Sequence, residues 1–145
     1  MLIEHILATK GPDVVTVPSD ATVADATATL RRFRIGAVIV SDDDGTTATG
    51  IVSERDIVRA LAESGAAALD LRVADVMTAE VHTCAPTATL EDLMEAMTAR
   101  RIRHIPVVAD GRLVGVVSIG DVVKHRVGEL SVEAQTLHEY VNSGR

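Results

Sequence analysis

The chain repeats itself, and that limits its folds more than any other feature. Placing Thr16 on Thr83, a spacing of 67 residues, brings Thr22-Val23-Ala24-Asp25 onto Thr89-Leu90-Glu91-Asp92. The same spacing sets Ile35-Gly36-Ala37-Val38-Ile39-Val40 on Ile102-Arg103-His104-Ile105-Pro106-Val107. Further on, Gly50-Ile51-Val52-Ser53-Glu54-Arg55-Asp56 falls on Gly115-Val116-Val117-Ser118-Ile119-Gly120-Asp121, now 65 residues away. The two extra residues of the first copy lie in Asp42-Asp43-Asp44-Gly45-Thr46-Thr47, a polar stretch that reads as a surface hairpin loop. A unit of about 55–60 residues buries too little surface to be comfortable alone. The two copies are therefore expected to pack sheet to sheet about a pseudo-twofold axis. Such pairing leaves clefts between the copies, where ligands bind.

Each copy carries the same local signals. Val14 to Val17 and Val81 to Cys84 are rich in β-branched residues and predict short strands. Thr22 with Asp25, and Thr89 with Asp92, have the spacing of a capping box, in which side chains satisfy the unpaired N–H groups of a helix start. Val23, Ala26, Thr27 and Leu30 then recur at helical spacing, as do Leu90, Leu93, Met94 and Met97, and both sets read as core stripes. Two β-rich runs follow, Ala37 to Val40 and Gly50 to Val52 in the first copy, Ile105 to Val108 and Leu113 to Val117 in the second. A last helix carries Ile57, Val58 and Leu61, or Val122 and Val123. The predicted fold class is α/β (α+β), with the order β-α-β-β-α twice. Residues 1–7 and the stretch Ser131 to Val141 read as flanking amphipathic helices.

Composition removes several functions. The chain has 145 residues, 47% of them hydrophobic, and a net charge of −7. Disorder would need low hydrophobicity as well as charge. The acidic balance argues against a nucleic-acid duplex as partner, and two aromatics, Phe33 and Tyr140, are too few for stacking single strands. Cys84 is the only cysteine, so there is no internal disulfide. No apolar run approaches the roughly 20 residues that span a bilayer, and Glu4 and His5 stand where a signal peptide has basic residues. The expectation is a soluble cytoplasmic protein with no membrane or nucleic-acid partner. His5, His82, His104, His125 and His138 lack metal-ligand spacing.

The most informative pattern is Gly-h-h-Ser-x-x-Asp, at Gly50 to Asp56 and again at Gly115 to Asp121, where h is apolar. Ser-x-x-Asp after a strand is a capping box in its own right. A second use suits the same atoms. An ionised Asp accepts two hydrogen bonds from a vicinal diol such as that of ribose, the Ser hydroxyl donates or accepts beside it, and the helix N-terminus favours phosphate. The Ser and Asp recur although the residues between them change from Glu54-Arg55 to Ile119-Gly120.

At these residues the chain resembles the tandem cystathionine-β-synthase (CBS) domain pair, or Bateman module. The β-α-β-β-α duplication, both Ser-x-x-Asp endings and the lead-in Asp75-Val76-Met77-Thr78 carry the resemblance. It places one repeat at residues 8–66 and the other at 73–128, with flanking segments 1–7 and 129–145. The resemblance implies a non-catalytic regulatory module that binds an adenosine nucleotide (AMP, ADP, ATP or NAD(H)) between its repeats, forms a homodimer and modulates a partner protein. It makes Asp56 and Asp121 the ribose ligands, with Ser53 and Ser118 beside them. Ile35-Gly36 and Ile102-Arg103 correspond to positions that flank adenine, and the strands around Thr16 and Thr83 to backbone contacts with the base. One site would then join Asp121, Ser118, Thr16, Ile35 and Gly36, and the other Asp56, Ser53, Thr83 and Ile102. Arg103 and His104 match phosphate contacts, and Arg55 lies inside the first motif. Both sites are expected to take an adenosine moiety, with different preferences for what is attached to it.

Several residues have plainer readings. Arg31, Arg32, Arg34, Arg100 and Arg101 suit helix C-termini electrostatically, and Cys84 matches Val17 as a small core residue. No phosphate loop, dinucleotide fingerprint or nucleophile-base set is present, so an enzymatic role lacks its constellation. The alternative function is a dimerisation or interaction module of the same fold with no physiological nucleotide.

Overall fold

The computed structural model describes residues 1–11 and 13–144. In chain order the elements are α1 (Ile3–Lys10), β1 (Thr16–Val17), α2 (Val23–Phe33), β2 (Ala37–Val40), β3 (Gly50–Ser53) and α3 (Glu54–Ser64). A 3-10 turn, Gly65–Asp70, leads to α4 (Val73–Val76), α5 (Leu90–Arg100), β4 (His104–Ala109), β5 (Arg112–Ser118) and α6 (Ile119–Ser143). One sheet has the order β1-β2-β3, with β1 parallel and β3 antiparallel to β2; the other is the antiparallel pair β4-β5.

All four predicted capping boxes form. Thr22 with Asp25, Ser53 with Asp56, Thr89 with Asp92 and Ser118 with Asp121 each exchange both side chain to backbone bonds. The turn between β2 and β3 is held by Asp43, whose carboxylate accepts from the Thr47 hydroxyl, the Thr47 N–H and the Ser41 hydroxyl, lowering its pKa to about 2.

Each half has its own core. Val23, Ala26, Leu30, Val38, Val40, Val52, Ile57 and Val73 form the first, and Leu90, Leu93, Met97, Ile105, Val107, Val117 and Val122 belong to the second. The predicted stripes hold except at Thr27, which is exposed and donates to the Val23 carbonyl, and Met94, which lies at the surface. Val58 and Val123 also point away from the cores. Burial pushes the Cys84 thiol up to about 11, as befits a residue packed against the second core. The other face of β2, Ala37 and Ile39, is buried as well, and so is Pro106 of β4.

One predicted strand does not form. In the first half Thr16 pairs with Ile39 and Val17 with Val40; the equivalent pairs are Thr83 with Pro106 and Cys84 with Val107. Only the isolated bridge from Cys84 to Val107 is present. Pro106 has no N–H to give a parallel ladder, so the strand predicted over 81–84 shrinks to one bridge.

The lead-in segments are exchanged. Ile3 and Ile6 of α1 are fully buried, and they sit in the second core, beside Leu90 and Leu93. Val73 of α4, which precedes the second half, sits in the first core. The joints match: Leu2 bridges Thr89 while Arg72 bridges Thr22, and Ile3 N–H donates to Ala88 O as Val73 N–H donates to Ala21 O. Each motif glycine receives the partner lead-in. A Cβ on Gly50 would lie 2.5 Å from Met77 Sδ, and one on Gly115 2.5 Å from Leu7 Cδ2. At the other end, residues 119–128 and 129–143 are one continuous helix rather than a repeat and a separate flank.

Candidate functional site

The first Ser-x-x-Asp motif opens onto a cavity of about 450 Å³ between the halves. That volume is within the usual range for small-molecule sites, about 300–1,000 Å³. From the first half it is lined by Gly36, Ala37, Ile51, Ser53, Arg55, Asp56 and Arg59, and from the second by Arg100, Arg101, Ile102, Arg103 and His104, with Thr78, Glu80, Val81 and His82 between. Glu54 completes the acidic contribution, so five arginines face three carboxylates in a chain that is acidic overall.

β3 ends at Ser53 and α3 begins at once, which fixes Asp56 one turn into the helix. Asp56 is buried. Its Oδ2 accepts from the Ser53 N–H (2.9 Å) and from the Ser53 hydroxyl (3.1 Å). Its Oδ1 has weaker partners, the Thr78 hydroxyl at 3.3 Å and an Arg59 nitrogen at 3.7 Å. One carboxylate oxygen is thus committed to the cap, and the other retains acceptor capacity toward the cavity. The motif is a capping box and a candidate ligand contact at once.

The basic wall has a structural origin. α2 and α5 end on arginines in the left-handed region, Arg34 and Arg101, both with φ 54°. A non-glycine residue pays roughly 1–2 kcal/mol for that conformation. The Arg101 carbonyl accepts from Arg55 Nη1 at 3.3 Å, a bond that crosses between the halves. His104 packs over Gly36, where a Cβ would come within 3.2 Å of its ring. Burial and then the nearby Lys10 ammonium lower the His104 pKa, so its ring is neutral at pH 7.

The cavity unites Ser53, Asp56, Arg55, Ile102, Arg103 and His104, all singled out from the sequence. Gly36, which the resemblance sets beside Asp121, lines this same cavity. Thr83 is exposed and outside it; Val81 and His82 stand there instead. Thr16 packs under Gly45 of the first hairpin turn, and Ile35 packs on the first core. Ser118 and Asp121 form their own capping box elsewhere, where Lys10 contacts the carboxylate. Arg59, Thr78, Arg100 and Arg101 were not singled out as ligand contacts. Arg59 had a readable cue, since it lies one helical turn beyond Asp56. Arg100 and Arg101, at the C-terminal end of α5, line the cavity as well.

Two capped halves, one β-α-β-β-α and the other with a single bridge in place of its first strand, meet at a basic cavity and define a tandem α/β repeat module. The chain belongs to the CBS domain family, which it matches twice, over residues 4–63 and 73–128. CBS pairs are regulatory modules. A CBS-domain containing protein of Agrobacterium tumefaciens is 48% identical, with a TM-score of 0.84 over 87% of this chain and 99% of its own. A CBS domain protein of Pyrobaculum aerophilum, solved in complex with AMP, is 32% identical, with a TM-score of 0.74 over 83% of this chain and 89% of its own. The mitochondrial CBS domain-containing protein CBSX3 of Arabidopsis thaliana is 38% identical over 87% of this chain, which spans 63% of the plant protein's length. Among the described residues, no helix is long and apolar enough to cross a membrane.

Proposed function

We propose that this chain is a non-catalytic sensor that binds an adenosine nucleotide in the Asp56 cavity and modulates a partner protein according to occupancy. The observation that carries this reading is one cavity holding both chemistries a nucleotide needs. Asp56, Ser53 and Thr78 offer acceptors and a hydroxyl to a ribose diol, while Arg55, Arg59, Arg100, Arg101 and Arg103 surround a place for phosphate. Ala37, Ile51, Val81 and Ile102 supply an apolar wall for a base without aromatic stacking. The AMP complex of the Pyrobaculum protein supports the ligand class. Calorimetry with adenosine, AMP, ADP, ATP, NAD(H) and S-adenosylmethionine tests it. AMP is expected to bind well above adenosine, and Arg103→Ala to weaken AMP by more than it weakens adenosine. No heat with any of them at millimolar concentration rejects the reading.

The rival reading, an interaction module without a nucleotide, draws on α6. Val123, Val127, Leu130, Ala134, Leu137 and Val141 follow alternating steps of four and three residues, and all are exposed. This is a heptad seam with Val127 and Val141 at a positions and Leu130 and Leu137 at d, a combination that favours two-stranded pairing. The seam supports a homodimer under either reading. Leu130→Ser with Leu137→Ser is expected to convert a dimer into a monomer in sedimentation equilibrium. If the double variant sediments like the parent, α6 does not hold the assembly.

A further inference from the structure

α6 is longer than its own half can cover. It runs for 25 residues, Ile119 to Ser143, about 38 Å at a rise of 1.5 Å per residue. Its first part is held down: Val122 is buried, Arg126 pairs with Glu91 and Glu129, and the Met1 amino group lies 3.5 Å from Glu129. From Ser131 to Ser143 every residue is exposed. Isolated helices shorter than about 12–15 residues are marginal in water, and helices in proteins draw most of their stability from packing an apolar face. The projecting segment carries such a face, with Leu137 64% and Val141 55% exposed, and it continues without a break into Val123, Val127 and Leu130. The heptad spacing of that face calls for another helix of the same pattern, which a second copy of the chain supplies.

The residues beside the seam set the direction of pairing. In a parallel, in-register pair each seam residue lies opposite its own copy, so Val123, Val127, Leu130, Ala134, Leu137 and Val141 are all covered. Glu133 at g then stands beside His138 at e of the other helix, and the twofold axis makes that contact twice. An antiparallel pair that covers the same residues must set Val127 against Leu137 and Ala134 against Leu130. That register puts Glu133 against Glu133 and Lys124 beside His138. Shifting it by one heptad avoids the clash of charge but leaves either Leu137 and Val141 or Val123 and Val127 without a seam partner. The rest of the chain leaves room for the parallel pair. At about 100° per residue, Val123, Val127 and Leu130 lie roughly a quarter-turn around α6 from Val122, Arg126 and Glu129, which face their own half. A twofold axis running along the pair sends the two protomers to opposite sides of it.

We infer that α6 pairs with α6 of a second copy as a parallel, in-register coiled coil from Val123 to Val141. The inference rests on the heptad seam described above and adds the direction and register of the pairing. Disulfide crosslinking of the full chain tests it, in a Cys84→Ala background that removes the native thiol. Val127→Cys and Leu137→Cys are each expected to give a disulfide-linked dimer on their own under oxidised glutathione, because each residue faces its own copy. Mixing the two variants is expected to add no linked species, since ten residues of helix, about 15 Å, separate the two positions. Glu139→Cys, on the far side of α6 from the seam, is expected to stay unlinked. Thermal melting confirms that each variant is folded, and sedimentation equilibrium under reducing conditions gives its assembly. Linking that appears only in the mixture means an antiparallel pair and overturns the inference while leaving the seam intact. So does failure of either seam variant to link while it still sediments as a dimer. Linking of Glu139→Cys as complete as that of Val127→Cys means collision rather than pairing and also overturns it. A Cys84→Ala parent that sediments as a monomer rejects the seam itself, and this inference with it.

Discussion

Ile6→Ala is expected to lower the free energy of unfolding by about 2–5 kcal/mol, the range for truncating a buried isoleucine to alanine. Ile6 is fully buried among Leu90, Leu93, Ile105 and Val117, far from it in sequence. Single domains have only about 5–15 kcal/mol in hand, so one such change takes a large share of the total. If residues 1–7 were merely a flanking helix lying on a finished module, the effect would stay within about 0.5 kcal/mol, as for most surface substitutions. Urea denaturation separates the two outcomes. Hydrogen exchange adds a spatial check, because protection should fall first in β4, β5 and α5, which form the core that Ile6 completes. Equal loss of protection in β1 to β3 would mean that α1 supports the whole molecule and not one half.

Asp56→Ala is expected to weaken AMP binding roughly 10–150-fold, corresponding to about 1.5–3 kcal/mol for hydrogen bonds to a charged group. The variant also loses half of a capping box, and the two losses must be told apart. Ser53→Ala removes the side-chain acceptor for the Asp56 N–H but keeps the carboxylate in the cavity. It is expected to cost about 0.5–2 kcal/mol of stability, as N-cap replacements do, with a much smaller effect on affinity. Should both variants lose stability to the same degree and retain AMP affinity in their folded fractions, the Asp56 motif is a cap and nothing more. Measuring melting temperature and dissociation constant on the same samples gives both axes.

Much of this was legible because capping chemistry is local. Thr22, Ser53, Thr89 and Ser118 mark helix starts by the reach of a side chain over three residues, and nothing distant intervenes. The duplication was legible for the same reason, since paired segments keep one spacing through each element. Long-range effects were not. The strand around Thr83 depended on whether Pro106 offers an N–H, a property of a residue in another element. The role of α1 was hidden by a change of spacing: Ile3 matches Val73, Ile6 matches Val76 and Leu7 matches Met77 only at 70 residues, not 67. Arg100 and Arg101 had a sufficient explanation at the end of α5, and only the packing of the halves brings them to Asp56. Gly36, which the resemblance sets beside Asp121, lines the Asp56 cavity because it lies near the junction, where both halves contribute.

The exchanged lead-ins also set an order for folding as the chain leaves the ribosome. The first core receives Val73 from a segment that follows it closely, so it can close once residues up to Thr78 have emerged. α1 is made before either half, yet the residues that bury Ile3 and Ile6 run as far as Val117 of β5 and Val122 of α6. Throughout that interval α1 carries unsatisfied apolar surface beside a completed neighbour, the kind of exposure that invites misassembly and chaperone binding. Synthesis therefore finishes the second half by returning to a helix that precedes both halves, and α1 is among the last elements to be locked in place.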